Sequence, residues 1–214
     1  VPIRSDFSLM VGDVCHNARS ALDHALWQLW LKKHPSFDGK VTFPIFDTSD
    51  AGDGRHGFKF EATRHIKGLT EPQQTLVESL QPYNTRNKAL SVLRDLNNSD
   101  KHRVIQLFAI TAKSEIFEIQ TIKGQPTVGR IKYRIAERVE VKDGTILAEL
   151  EFPPDFVGSK VNVNAEFLFT MAFRGSKTAN SLNVDTTLQG CIAAVHSVLL
   201  QFEGEFLGIS TEKV

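Results

Sequence analysis

Apolar residues recur every three or four positions between Phe7 and His34, which predicts one long amphipathic helix that ends before Pro35. The apolar stripe of this helix consists of Val11, Val14, Cys15, Ala18, Ala21, Leu22, Ala25, Leu26 and Leu29. The opposite side collects Asp13, His16, Asn17, Ser20, Asp23, His24 and Trp27. A solvated helix face is usually rich in Lys and Glu, and this face has neither. We therefore interpret it as one wall of a polar pocket.

Further helices are predicted on both sides of a central stretch. Thr70 is a helix cap, because Pro72 lies in the first turn after it and Gln73 completes a capping box. A similar apolar period follows Arg86, and Asp185 caps a last helix that carries apolar residues to Phe206. The helical part is thus predicted over about 7–103 and 184–207.

In the intervening region, 104–173, apolar residues recur at every second position instead of every third or fourth. Its clearest alternation runs from Val161 to Phe173, and Lys142-Asp143-Gly144 is a hairpin turn signal. This pattern predicts an antiparallel β-meander of five or six strands with one buried face. The short apolar segment Val41-Thr42-Phe43-Pro44-Ile45-Phe46, which Pro interrupts, is interpreted as an edge strand or a plugging loop. We expect a single α+β domain over 1–214, with the C-terminal helix packed on the N-terminal helices.

Composition narrows the class of protein. Lys plus Arg and Asp plus Glu are 25 each, so no overall charge favours nucleic acid or anionic lipid. No apolar run reaches the roughly 20 residues of a membrane span, so no membrane association is expected. Cys15 and Cys191 lie on apolar helix faces and are interpreted as two buried thiols of a cytoplasmic protein, with a disulfide left open. The chain begins at Val1 rather than Met, which suggests a fragment or a processed start.

A second polar cluster lies where the helix after Arg86 meets the strand region. Its members are Asn97, Asn98, Asp100, Lys101, His102 and Arg103. If it meets the polar face of the first helix, three imidazoles, carboxylates, amides and cations lie together. A metal site is one alternative, but His16 and His24 are two helical turns, about 12 Å, apart along the axis, which disfavours it. Another alternative is a polar network between helices, with Arg19 and Asp23 as an i,i+4 ion pair. No metal or cofactor is expected.

The two clusters together contain the groups for metal-independent cleavage of RNA. That reaction needs a general acid or base near neutral pH and a cation at the phosphate, which His and Arg supply. Arg19 followed by four residues and His24 resembles the motif of the HEPN ribonucleases, helical proteins of bacterial defence and toxin systems. The catalytic candidates are therefore His24 and His102 with Arg19 and Arg103. The other polar residues of the two clusters are candidate ligand-binding residues.

A longer pattern joins several segments of the first half of the chain. It consists of Gly12-Asp13…His16-Asn17…Arg19-Ser20-Ala21-Leu22-Asp23-His24…Trp27, Phe43-Pro44-Ile45, Leu80-Gln81-Pro82-Tyr83 and Leu96-Asn97-Asn98…Asp100-Lys101-His102-Arg103. This pattern resembles a family of uncharacterised bacterial proteins over roughly residues 7–111. Members of that family carry an additional N-terminal helical segment, which agrees with a truncated start at Val1. The resemblance indicates pocket residues and implies no particular reaction.

Three hypotheses about function follow from these observations. The first is a ribonuclease-like hydrolase that acts on RNA through the His and Arg residues. The second is a non-catalytic bacterial module that binds a small polar or anionic ligand in the same pocket. The third is an interaction protein whose polar helix face forms an oligomer interface, such as that of a homodimer. The balanced charge argues modestly against the first, because phosphate contacts dominate RNA binding.

Overall fold

Three long helices pack against one another and enclose the main apolar core. In the computed structural model, which describes residues 3–35, 41–50, 57–102, 104–121, 132–152 and 161–207, these are α1 (Ser5–Lys33), α5 (Ala89–His102) and α6 (Val184–Leu207). Leu22, Leu26 and Leu29 of α1 are fully buried, as the apolar stripe predicts. The C-terminal helix contacts both α1 and α5. The core is therefore built from elements that are far apart in sequence.

Short helices connect α1 to α5. They are a π-helical turn (Phe58–Ala62), α2 (Thr63–Ile66), α3 (Glu71–Ser79) and α4 (Pro82–Thr85). The capping box at the start of α3 is confirmed: Gln73 N donates to Thr70 Oγ1 at 3.4 Å, and Thr70 N donates to Gln73 Oε1 at 3.0 Å. Gly68 lies directly under the indole of Trp30, so that a Cβ there would stand 2.2 Å from the ring. The connection between α2 and α3 thus contacts the C-terminal part of α1 at Trp30.

The strands of the described region form two separate two-stranded sheets. β1 (Gln106–Thr121) pairs antiparallel with β4 (Val161–Arg174), and β2 (Lys132–Ile135) pairs antiparallel with β3 (Ala148–Glu151). The α+β arrangement of helices around a strand region agrees with the sequence. The predicted meander of five or six strands is wrong.

The reason lies in the segment between β2 and β3. Residues 138–141 lie beside the base of β1, where Thr111 N donates to Val139 O at 3.0 Å and Val141 N donates to Ala109 O at 2.8 Å. Beside them, the hydroxyl of Thr111 accepts from Val139 N at 3.0 Å. The carbonyl of Thr111 in turn accepts from Arg138 N at 3.0 Å, so this segment bonds to β1 over a few residues and adds a single bridge, between Ile110 and Glu140, rather than a further strand. Alternation reports which residues face a core, but it does not report how long a strand is or which strand it pairs with.

Among the described residues, no helix is both long enough and apolar enough to cross a membrane.

Candidate functional site

The predicted polar face of α1 is largely open to solvent. Asp13, His16, Asn17 and His24 are exposed, while Ser20 and Trp27 are half-buried. None of these side chains is in the lining of five cavities that the described residues form. The side chains thus share one largely open surface of the helix.

Arg19 and Asp23 have a different partner, the chain segment that follows α1. Arg19 Nη2 donates to the carbonyl of Phe43, and Asp23 Oδ1 accepts from Phe43 N at 2.8 Å. The two side chains also form an ion pair at 3.1 Å. Burial lowers the pKa of Arg19 and raises that of Asp23, and each opposite charge acts against the shift of its partner. This pair therefore fixes the main chain at Phe43.

Two more side chains hold the same segment farther along. Gln81, which is fully buried, accepts from Phe46 N and donates to the carbonyl of Pro44, both at 2.9 Å. Arg94 of α5 donates to the carbonyl of Ile45 at 3.1 Å. Five polar main-chain groups between residues 43 and 46 thus bond to side chains of the helical part. We call residues 43–47 the clamped segment.

The second predicted cluster lies at the end of α5 and meets α1. A Cβ on Gly12 would stand 2.4 Å from the carboxylate of Asp100, so the two helices touch there through a glycine. The charge of Lys101 also lowers the pKa of Asp23 against the larger effect of burial. Asn97 is buried, whereas Asn98 and Lys101 are exposed.

The remaining two candidates of that cluster are not placed. Arg103 and the side chain of His102 lie outside the described residues, so the meeting of His24 with either residue stays a prediction. Within the described part of the chain, no three His, Cys, Asp or Glu side chains are grouped as metal ligands would be. The contacts that the structure does give between the two clusters are those of helix packing.

A cavity of about 500 Å³ lies at the end of the clamped segment, beside the start of α5. Its lining comes from the clamped segment, α4, the first turns of α5 and the turn after β4. The lining residues are Asp47, Pro82, Tyr83, Arg86, Lys88, Ser91 and Thr178. We call it the cationic pocket, because its lining includes Arg86 and Lys88.

The charges around the cationic pocket are unbalanced. Its carboxylate, Asp47, already accepts from Ser91 Oγ and from Arg94 Nη2, the latter at 2.8 Å. Burial alone raises the pKa of Asp47, but these two bonds together lower it below its ordinary value, so the group is ionised at neutral pH. Arg86 and Lys88 form no ion pair with any described residue. The pocket therefore presents two cations whose charge is not neutralised.

The walls of the cationic pocket are fixed by their own contacts. The Tyr83 hydroxyl donates to Glu78 at 3.0 Å, and its ring meets Phe58 edge-on at 6.4 Å between centroids. Burial raises the pKa of Tyr83 to about 12. Arg86 ends α4 in the left-handed conformation, with φ of 57°. Residues other than glycine adopt this conformation at a cost of order 1 kcal/mol, and such strain is frequent at ligand sites.

A larger cavity of about 950 Å³ lies between the base of β1 and the start of α6. Asn183 of its lining donates to Thr170 at 2.7 Å and accepts from Thr186 N at 3.0 Å, while Glu140 pairs at 2.6 Å with Arg174, which lies outside the lining. These contacts stabilise the junction of the sheet with α6. The other charged residues of the lining, Glu137 and Arg138, are of opposite sign, so this cavity has no excess of positive charge.

The sequence contained two signals for the cationic pocket that the sequence analysis did not use. Arg86 and Lys88 follow directly after Leu80-Gln81-Pro82-Tyr83, and Asp47 follows Phe43-Pro44-Ile45, both parts of the longer pattern described above. The distance of some 40 residues between the two segments hides their proximity. Comparison with protein-family models, with curated proteins and with solved structures found no match to this chain.

Proposed function

We propose that this protein is a ligand-binding module that takes a small anionic organic molecule into the cationic pocket. The observation that supports this proposal is the pair of cations, Arg86 and Lys88, beside an open volume of about 500 Å³ with no described counter-ion. Unpaired cations at the mouth of a concave site attract and orient anions.

Asp47 does not oppose this function, although it is an acid in the lining. Its carboxylate is bonded to Arg94 and Ser91, which lie on the α5 side of the pocket. The charge that a ligand meets is therefore close to the sum of Arg86 and Lys88. Volumes of roughly 300–1,000 Å³ are typical of small-molecule sites, and the pocket falls in this range.

Cleavage of RNA is less well supported than ligand binding. The cation that the reaction needs next to His24 was expected to be Arg19. The guanidinium of Arg19 is instead largely buried and bonded to Phe43 and Asp23. RNA hydrolysis remains a prediction that rests on His24, His102 and Arg103, and an assay of His24→Ala on a mixed RNA pool tests it.

Thermal unfolding of the full chain with a panel of small anions tests the proposal. Citrate, phenyl phosphate and inorganic phosphate are compared with neutral glycerol and phenol. A ligand at 100 times its Kd raises the Tm by about 5–10 °C for a chain of this size. We expect such shifts only with anions, and we expect them to disappear in the double variant Arg86→Gln/Lys88→Gln.

The matched control is Lys67→Gln/Lys142→Gln, which removes the same charge from two exposed positions outside the pocket. It should keep the full shift. The proposal is wrong if the Arg86→Gln/Lys88→Gln variant, shown to be folded, responds to the anions as the wild type does. It is also wrong if neutral analogues raise the Tm equally.

A further inference from the structure

We infer that the ligand of the cationic pocket is a phosphate monoester with an organic body, bound as the dianion. This inference rests on the proposed function and specifies its ligand class. It depends on three features of the pocket: the number of its cations, their origin in two segments, and the volume left beside them.

A third cation lies close to the pocket, on the turn after β4. Lys177 precedes Thr178 of the lining, and its charge is near enough to Asp47 to contribute to the low pKa of that carboxylate. Lys177 forms no ion pair with a described residue. Two cations in the lining and a third beside it therefore accompany one carboxylate, which Arg94 already offsets at 2.8 Å.

This excess of charge suits a dianion better than a carboxylate. A phosphate monoester carries about −1.5 to −2 at pH 7, whereas a carboxylate carries −1. Arg presents a planar fork that matches two phosphate oxygens, and Lys adds a point charge. Arg86 and Lys88 come from the α4–α5 junction, while Lys177 comes from the turn after β4. The oxygens of a tetrahedral phosphate group point in different directions, so they can bind cations from both segments.

The volume of the pocket implies that the ligand is larger than a free anion. A cavity of about 500 Å³ holds far more than one phosphate group. Pro82, which is buried, and the fixed ring of Tyr83 form a wall without charge. An organic body against this wall would displace water from apolar surface, which inorganic phosphate does not do.

Three probes with a common phenyl body, phenyl phosphate, benzoate and phenol, and one without it, inorganic phosphate, separate these features. Their affinities for the full chain are measured by calorimetry. We expect phenyl phosphate to bind at least about tenfold more tightly than each of the other three, since it alone combines the dianion with the apolar body.

The pH dependence gives an independent measurement of the dianion. The ionisable groups around the pocket are Asp47, Tyr83, Arg86, Lys88, Lys177 and, behind them, Glu78 and Arg94. Asp47 is ionised above its lowered pKa, and Tyr83 stays protonated up to about 12. The second ionisation of a phosphate monoester occurs near pH 6. Binding of phenyl phosphate should therefore tighten several-fold between pH 5 and pH 8, while binding of benzoate should not.

Lys177→Gln tests the third cation, with Lys142→Gln as the control on another exposed turn. Lys177→Gln should weaken phenyl phosphate about threefold to tenfold and reduce its pH dependence, and the control should not. Benzoate that binds as tightly as phenyl phosphate, with both lost in Arg86→Gln/Lys88→Gln, overturns this inference and leaves the proposed function standing. If inorganic phosphate binds as tightly as phenyl phosphate, the inference that the ligand has an organic body is wrong. No binding of any anion overturns both proposals.

Discussion

The guanidinium of Arg94 bonds at once to the carboxylate of Asp47, at 2.8 Å, and to the carbonyl of Ile45, at 3.1 Å. Arg94 also pairs with its neighbour Asp95 at 2.9 Å. Burial acts to lower the pKa of Arg94, but the bonds to Asp47 and Asp95 together raise it. One side chain of α5 thus holds the clamped segment and neutralises the acid of the cationic pocket.

The stability of the protein should depend on the ionisation of Asp47. Its pKa in the folded protein lies below the ordinary value of 3.8. The stability that the ionised group contributes is therefore fully present above pH 3.8 and is lost as the pH falls through the lower folded value. We predict that Asp47→Asn is less stable than the wild type at pH 6 and that this difference shrinks toward pH 3. Urea unfolding at both pH values measures it.

Asp143→Asn, on an exposed turn, is the control and should match the wild type throughout. A difference between Asp47→Asn and the wild type that stays constant from pH 6 to pH 3 would contradict the assignment.

Arg19 should matter for stability rather than for chemistry. Arg19→Met removes the bond to the Phe43 carbonyl and leaves Asp23 half-buried without its counter-ion. Losing one partner of such a pair costs about 2–4 kcal/mol of unfolding free energy. Arg4→Met is the matched control, since the Arg4–Asp6 pair is solvent-exposed and should contribute at most about 1 kcal/mol. If Arg19→Met keeps full stability yet abolishes an RNA-cleaving activity, the HEPN-like hypothesis gains and the structural role fails.

Two glycines on helices should respond in opposite directions to the same substitution. Gly12→Ala places a methyl group on the Asp100 carboxylate, which has to turn aside, and we expect a net loss of up to about 1 kcal/mol after the gain in helix propensity is included. Gly190→Ala, on α6, meets open space and should gain about 0.5–1 kcal/mol from helix propensity. Denaturant unfolding of both variants measures the signs. The double variant Gly12→Ala/Asp100→Ala should recover part of the loss, and no recovery would exclude Asp100 as the cause.

Both thiols should be unreactive in the folded protein. Cys15 and Cys191 are free and buried, and burial is the main cause that raises their pKa values to about 12 and about 11. The thiolate is the reactive form, so we expect slow reaction with Ellman's reagent at pH 8 and rapid reaction of two thiols in denaturant. These pKa values exceed the ordinary 9.0, so the stability that the protonated thiols contribute is lost as the pH rises above that value. Rapid labelling of either cysteine under native conditions would contradict the burial.

The helical half of the fold follows from the sequence more closely than the strand half. The predicted first helix from Phe7 to His34 corresponds to α1 over Ser5–Lys33, because helix period and caps are local signals. Strand pairing is not local. Val161 to Phe173 does form β4, but within the described residues β1 is the one strand that it pairs with, and the turn at Asp143-Gly144 lies inside the loop of the β2–β3 hairpin.

The candidate site could be predicted only in part for a related reason. The composition of the polar face of α1 indicates a functional or structural role. It does not indicate that Arg19 and Asp23 bond to the main chain of Phe43. Since nearly every residue has a main-chain carbonyl and amide, the residue type does not show which of these groups accepts or donates a bond. The same holds for the cationic pocket, since the sequence shows the charge of Asp47 but not that Ser91 and Arg94 neutralise it.

The clamped segment also determines how its amide protons exchange with solvent. In a strand ladder, release of an amide requires two chains to separate. Here Phe43 N is held by Asp23 of α1, and Phe46 N by Gln81 at the α3–α4 junction, so each amide is protected by a side chain of a different element. Two amides three residues apart therefore exchange independently, one with α1 and the other with the α3–α4 junction. Each serves as a spectroscopic reporter on a helix to which it does not belong.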